Sequence, residues 1–376
     1  MSHDIAGIGA ITSVGRDADE VFEALCSGRT GLSELRAFDH AKFRARGAFE
    51  IDDRLTPGVD EPGRATRWLV DVIAQAVKDA GIGEDLTDVP IIVGTGLREL
   101  RSAELWWRDG AVFEAADLDF GPALRRRFGA LTSYTFANAC SASLHAVALG
   151  ADLVDSGQAD TVVVAGVDSI TESMNGLLDR VNLEPPDRVR PFDRARKGAL
   201  MGEGAAAVVL RRASPSAHGR LRAVSLNCDA KHVTAPDPRG IADAIENAHA
   251  RAGVVPGDVD LVLLHGTGTL LNDEAEARAM AAVFGEEVGR PHVAAIKGMT
   301  GHTSGSAGLL GLVVAVKGMA HGRVPPAVGL TNPIEAAQDF RFAHEVVHDP
   351  DLRVAQVNAF GFGGVNAVAV VERATS

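Results

Sequence analysis

The stretch Asp71–Gly81, DVIAQAVKDAG, recurs in outline at Asp243–Gly253, DAIENAHARAG. After each copy comes a loop and then an apolar run that closes on the same tripeptide, Gly94-Thr95-Gly96 in one case and Gly266-Thr267-Gly268 in the other. The offset is 172 residues at every landmark. Each copy reads as helix, Ala-Gly stop, loop, strand and Gly-Thr-Gly turn, because helical spacing of apolar residues gives way to an unbroken Val/Ile/Leu run. A second repeat pairs GEGAAAVVLRRA (202–213) with GGVNAVAVVERA (363–374). Two repeats in the same order describe a duplicated chain. The expected division is a half at 1–219 and a half at 220–376, joined near RASPSAHGR (212–220).

Outward from these repeats, strand-like runs alternate with helical ones along the chain. DIAGIGAI, PIIVGTG, DTVVVAGVDS, AAAVVLRR, DLVLLHGTG, HVAAIKG and VNAVAVVER read as strands. TRWLVDVIAQAVKDAG, ADAIENAHARAG and LLGLVVAVKGMAHG read as helices. Continuous apolar strands alternating with helices predict an α/β protein with a buried, parallel or mixed sheet in layers.

Composition excludes several classes. The 376 residues are 46% hydrophobic and 23% charged, near globular averages, and suffice for a large core. A net charge of −13 argues against nucleic acid as the main partner. Two short basic groups, Arg125-Arg126-Arg127 and Arg64 with Arg67, are the candidate patches for an acidic partner; solvated surface charge is the alternative. Cys26, Cys140 and Cys228 show no C-x-x-C spacing and cannot all pair, so neither a disulfide framework nor a metal site is expected. MSHDIAGIGAI lacks a signal-peptide pattern and no apolar run reaches a membrane span, which predicts a cytoplasmic chain.

Five motifs carry candidate chemistry. In NACSAS (138–143), Cys140 stands among small residues just before a buried helix, either as a packed thiol or as a nucleophile whose thiolate the helix N-terminus favours. In LLHGTGTLLND (263–273), His265 follows a strand and opens a Gly-Thr turn, where active sites of α/β sheets gather; a loop-anchoring histidine is the plain alternative. In AAIKGMTGHTSGSAGLLG (294–311), a strand delivers Lys297, to fix charge or to cap structure, and His302 precedes another helix start. The turn Phe360-Gly361-Phe362-Gly363-Gly364 has the backbone freedom to aim an N–H into a cavity as an oxyanion donor. RPFDRARKGALMGEGAAAVVL (190–210) reads as an ion-paired loop, through Arg190, Asp193 and Arg196, leading into a strand. One cysteine, two histidines on separate Gly-rich loops, a lysine and a glycine turn form the set that covalent thioester chemistry requires.

Taken together and in order, these motifs resemble those of the beta-ketoacyl-acyl carrier protein synthases, the ketosynthase branch of the thiolase superfamily, from IAGIGAITSVG to AVAVVE. The resemblance implies a thiolase-like fold, duplicated halves in a five-layer α-β-α-β-α arrangement. It implies a triad of Cys140, His265 and His302, with Cys140 holding an acyl group and the histidines assisting decarboxylation of a malonyl-type extender. Lys297 would order the site electrostatically, and the N–H groups of Cys140 and Phe362 would form the oxyanion hole, Phe362 also gating the acyl pocket. Thr234, in KHVTAPDP, with Thr267 and Thr269 would contact a phosphopantetheine arm. The expected partner is an acyl carrier protein; the expected assembly is a homodimer or a heterodimer with a chain-length-factor-like subunit. No cofactor and no metal are implied. HGTGT and Gly311 look more like the polyketide branch. The segment 97–129 is shorter than usual and places Trp106-Trp107 in a region that usually helps form the dimer interface and acyl pocket. The expected activity is decarboxylative Claisen condensation. The alternatives are acyl transfer to an oxygen, nitrogen or sulfur nucleophile, and a non-catalytic partner subunit.

Overall fold

Along the strand Thr161–Asp168 the side chains alternate between two different cores, and this alternation explains the layers. Val162 and Val164 point into one apolar cluster and Val163 and Ala165 into another. Ile92 opposes Ile91 and Val93 in the same way, as do Val208 and Leu210 against Ala207 and Val209. In the second half, Leu261 and Leu263 oppose Val262, and Ala367, Ala369 and Val371 oppose Val368 and Val370. A strand with both faces buried has no polar face, so it reads as an unbroken apolar run.

The computed structural model describes residues 2–56 and 58–374. Its main sheet has eleven strands, and the two halves repeat one topology within it. In the first half, Ile91–Gly94 pairs in parallel with Ser133–Phe136 and with Thr161–Asp168; the latter pairs antiparallel with Gly204–Arg211, which pairs antiparallel with His3–Thr12. In the second half, Leu261–Leu263 pairs in parallel with His292–Ala294 and with Val354–Gly361; the latter pairs antiparallel with Val365–Arg373, which pairs antiparallel with Gly219–Cys228. The halves join where His3, Asp4 and Ile5 pair with Leu221, Arg220 and Gly219. A short strand, Arg341–Phe342, extends the second half at its edge.

Helices fill the remaining layers. Ala142–Asp155 and Ala307–His321 lie between the two half-sheets, in the cluster that both halves share. Arg64–Asp79 covers the outer face of the first half-sheet, and Pro238–Ala252 with Leu270–Phe284 covers that of the second. This is the expected α-β-α-β-α order. Ala307–His321 is apolar almost all round because it is packed on every side. Among the described residues no helix is long and apolar enough to cross a membrane.

Two expectations are corrected here. Lys297 is not delivered by a strand: the strand ends at Ala294, and Lys297 begins the short helix Lys297–Thr300. Arg64 is not a surface residue. Its guanidinium is buried and bonds Asp53, Asp60 and Glu203 at 2.8–2.9 Å and the Ile51 carbonyl at 2.9 Å. Only Arg67 of that pair is open to solvent, whereas Arg125, Arg126 and Arg127 are all exposed.

Candidate active site

The same local device occurs once in each half. A single 3-10 turn, Ala139–Ser141 or Ser304–Ser306, leads directly into one of the two central helices. Each turn opens on a non-glycine residue in the left-handed region, Ala139 at φ 51° and Ser304 at φ 47°. Such strain persists only where surrounding packing fixes it. In the first half the turn presents Cys140. In the second it is preceded by His302.

The two turns meet at a cavity of about 250 Å³ lined by Cys140, His265 and His302. Sγ of Cys140 shares a 3.0 Å hydrogen bond with Nε2 of His302. The His265 and His302 rings stand edge to face, with centroids 5.4 Å apart. One side-chain atom from each of the three residues lies within 4.8 Å of the others. Phe360 packs edge-on against His265 at 5.6 Å. The Nδ1 atoms of both histidines have no partner among the described residues, which leaves Nε2 as the working atom of each ring.

Burial governs the electrostatics of this cluster. It pushes both imidazoles well below their ordinary range, and the nearby Lys297 ammonium adds to the effect, so both rings are neutral. Lys297 is itself lowered to about 8 by burial, and its Nζ donates to the His265 carbonyl oxygen. Of the two readings of Cys140, a packed thiol or a thiolate favoured by the helix N-terminus, burial decides for the protonated form by pushing the thiol up to about 11. Lys297 and the N–H groups of Phe362 and of Cys140 itself pull the other way but are outweighed. The resting site therefore holds a thiol facing a neutral imidazole.

Phe362 lies in the turn of a hairpin between Val354–Gly361 and Val365–Arg373, and it lines the cavity. Gly361 lets the strand end approach the Cys140 backbone closely. A Cβ at that position would stand 3.2 Å from the Cys140 nitrogen, over the N–H expected to serve as an oxyanion donor. Thr234, Thr267 and Thr269 all line the same cavity, and the hydroxyls of Thr267 and Thr269 are 2.9 Å apart. Thr269 also caps the helix Leu270–Phe284. Asp193 is buried and accepts from Ala195, Thr331 and Asn332, while Arg196 bonds the carbonyls of Thr269 and Leu270; this loop braces the threonines from behind.

Trp106 and Trp107 do not line the cavity. They are exposed on the helix Leu100–Asp109, and the apolar wall comes instead from Met174 and Leu178 of Glu172–Val181, with Ala199 and Met201. The aromatic helix braces that wall: Glu104 accepts from the N–H groups of Glu172 and Ser173 at 2.8 and 2.9 Å.

The sequence reading missed the polar support of His265. The buried Glu276 carboxylate accepts from the backbone N–H groups of His265 and Gly266 at 2.7 and 2.8 Å. Asn358 donates to Glu276, Gln356 to Asn358, and Gln356 in turn meets His249. Polar Gln356 and Asn358 interrupting the apolar run VAQVNAFG were the available signal, since a buried polar side chain demands a partner.

With this geometry in hand, comparison with known proteins is direct. The family model for the beta-ketoacyl synthase N-terminal domain matches residues 128–216, and that for the C-terminal domain matches residues 218–331. Over 409 residues the chain is 30% identical to 3-oxoacyl-[acyl-carrier-protein] synthase I, chloroplastic, of Arabidopsis thaliana, covering 97% of this chain and 85% of that protein. It is 29% identical over 411 residues to the tetracenomycin polyketide synthase ketoacyl synthase alpha subunit of Streptomyces glaucescens, covering 98% and 96%. A solved structure described as the ishigamide ketosynthase/chain length factor matches with a TM-score of 0.88 at 29% identity, over 100% of this chain and 99% of that one. The chain belongs to the beta-ketoacyl synthase family, whose members are acyltransferases.

Proposed function

We propose that this ketosynthase performs decarboxylative Claisen condensation on acyl-carrier thioesters, with Cys140 as the acyl-bearing nucleophile, in polyketide or specialised fatty-acid biosynthesis. The observation that carries this assignment is the convergence of Cys140, His265 and His302 within 4.8 Å in one cavity that Thr234, Thr267 and Thr269 also line.

In the first half-reaction Sγ attacks the carbonyl carbon of the incoming thioester. Because the thiol is held near 11, few molecules carry a preformed thiolate at neutral pH, and His302 Nε2 at 3.0 Å takes the proton as the S–C bond forms. That proton leaves with the departing carrier thiol. The N–H groups of Cys140 and Phe362 hold the tetrahedral oxyanion; losing one such donor costs about 10²–10³ in rate. In the second half-reaction the extender carboxylate departs as CO₂, and its bonding electrons form an enolate. Neutral His265 donates from Nε2–H to the enolate oxygen. His302, left bare at Nε2 once its proton has gone with the carrier thiol, donates as well after moving its remaining proton from Nδ1 to Nε2. The α-carbon then attacks the Cys140 thioester and expels the thiolate.

Retention of both histidines supports condensation over simple acyl transfer, because simple acyl transfer generates no enolate for them to hold. The partners assigned are an acyl carrier protein and a second ketosynthase-fold subunit, either another copy or a chain-length-factor-like chain. A cytoplasmic location suits an enzyme whose three cysteines are free. We assign residues 1–219 to the half bearing the nucleophile and 220–376 to the half bearing the histidines, supported by the repeated strand order.

The test is intact-protein mass spectrometry with acyl-carrier and then malonyl-carrier protein. Wild type is expected to gain the acyl mass and lose it as an elongated beta-ketoacyl carrier appears; Cys140→Ala is expected to gain nothing. A persistent adduct without elongation would move the assignment to acyl transfer, and full condensation by Cys140→Ala would overturn it.

A further inference from the structure

The two 3-10 turns are counterparts in the duplicated fold, and Gly305 stands in its turn where Cys140 stands in the other. The strand ends that face them are counterparts as well. The Cys140 nitrogen lies against Gly361, the last residue of Val354–Gly361, and Cys140 lines the cavity. Gly305 N–H meets Asp168, the last residue of Thr161–Asp168, at 2.6 Å. The Asp168 carboxylate is wholly buried and accepts three further bonds: from Gly96 N–H at 2.7 Å, Leu97 N–H at 2.8 Å and the Thr95 hydroxyl at 2.8 Å. Four donors saturate its two oxygens. Burial pushes the carboxyl up to about 7, yet each of these bonds is to a donor, which favours the ionised form. The approach is so close that a Cβ on Gly305 would fall 2.4 Å from the Thr95 carbonyl carbon.

We propose that Asp168 is a positioning residue for the condensation: its carboxylate holds the Gly305 N–H, the counterpart of the Cys140 N–H, and locks the Ser304 turn, and with it His302, in register with Cys140. In each half the N–H at the middle of the turn stands at an anion position. The first remains open for a transient oxyanion. In the second the protein supplies its own anion. Asp168 bonds the Ser304 turn of one half to the strand end and the 95–97 segment of the other. Thr95 N–H in turn bonds the carbonyl of Phe136, at the end of the strand that leads to Cys140, so the carboxylate links both sides of the 3.0 Å contact between Cys140 and His302. Its charge also reaches the site, raising the Cys140 thiol from within the fold.

This inference rests on Cys140 as the acyl carrier, and labelling of Cys140 by iodoacetamide tests it whether or not condensation is observed. Asp168→Asn keeps the shape and removes the charge. It is expected to lower kcat by about 10–100-fold with KM for the carrier thioester unchanged, since small displacements remote from the chemistry have costs of this order. It is also expected to move the pH midpoint of Cys140 labelling downward, which a merely structural role would not do. Thr95→Val removes one of the four donors and leaves the carboxylate; it is expected to lower kcat a few-fold with the labelling midpoint unmoved. Wild-type kcat in Asp168→Asn, or a labelling midpoint no lower than wild type, would overturn the proposal. Should Asp168→Asn not fold, Thr95→Val decides alone: reduced kcat at an unchanged melting temperature supports the role, and unchanged kcat overturns it.

Discussion

Lys297 is the cation to which Cys140, His265 and His302 all respond. Its ammonium favours the Cys140 thiolate and disfavours an imidazolium on either His265 or His302. Removing it reverses both effects. In Lys297→Met the pH midpoint of Cys140 labelling moves up, so labelling at pH 7 slows, about tenfold for every whole pH step by which the midpoint rises. The two histidines become easier to protonate, so the acid limb of decarboxylation moves up as well. Lys297 loses its own charge as pH rises through about 8, so the wild-type and variant labelling rates converge above that value. Labelling rates between about pH 6 and 12, followed by mass spectrometry, check the sign across the range in which Lys297 and Cys140 titrate. A downward movement of the midpoint would remove Lys297 from this role.

At the scale of elements, the active site depends on how one loop is strapped to one helix. His302 exchanges backbone bonds with the strap before Gly204–Arg211: its N–H donates to Leu200 at 2.9 Å, and its carbonyl accepts from Gly202 at 3.0 Å. Met201 from this strap lines the acyl wall. The next residue along the strap after Gly202, Glu203, is buried against Arg64 at the start of the helix Arg64–Asp79, and burial raises its carboxyl to about 7 even beside that guanidinium. Arg64 thus neutralises a group of acids, Asp53, Asp60 and Glu203, that would be costly to bury alone. Arg64→Leu takes the guanidinium partner from Glu203, while Asp60 keeps Arg54 and Arg101 and Asp53 keeps Arg67, and is expected to destabilise the protein by about 3–5 kcal/mol. A lower urea midpoint with an unchanged m-value is the expected reading; a midpoint within error of wild type would show that the acids relax without cost.

For the molecule as a whole, duplication does not mean independence. Ala142–Asp155 and Ala307–His321 share one apolar cluster with strands of both halves, including Ile92, Leu210, Leu263 and Ala369. Separating the halves would expose that entire layer to water, and Ala307–His321 has scarcely any polar face to offer. Fragments 1–219 and 220–376 expressed alone are therefore expected to show no cooperative melt, and co-expression is expected to restore one. Calorimetry decides the matter; a cooperative transition in either fragment alone would show that the halves fold separately.

The repeats, the layered α/β class and the motif residues were legible in the chain because they are local. Periodicity marks a strand buried on both faces, and small residues mark a tight helix start. Cys140, His265 and His302 could be singled out this way, Phe362 and the three threonines were implied by the family resemblance, and all of them line one cavity. The sequence could not show what depends on burial or on distant pairing. It read Arg64 as surface charge, although one of the acids it neutralises, Glu203, lies 139 residues away along the chain. It left a packed thiol and a helix-favoured thiolate both open at Cys140, and desolvation within the cavity decides for the thiol. It carried no sign that Asp168, 137 residues before Gly305, bonds the turn that follows His302. Local pattern determines which elements form, whereas the dielectric around a charge and the partner of a buried polar group exist only once the chain has closed on itself.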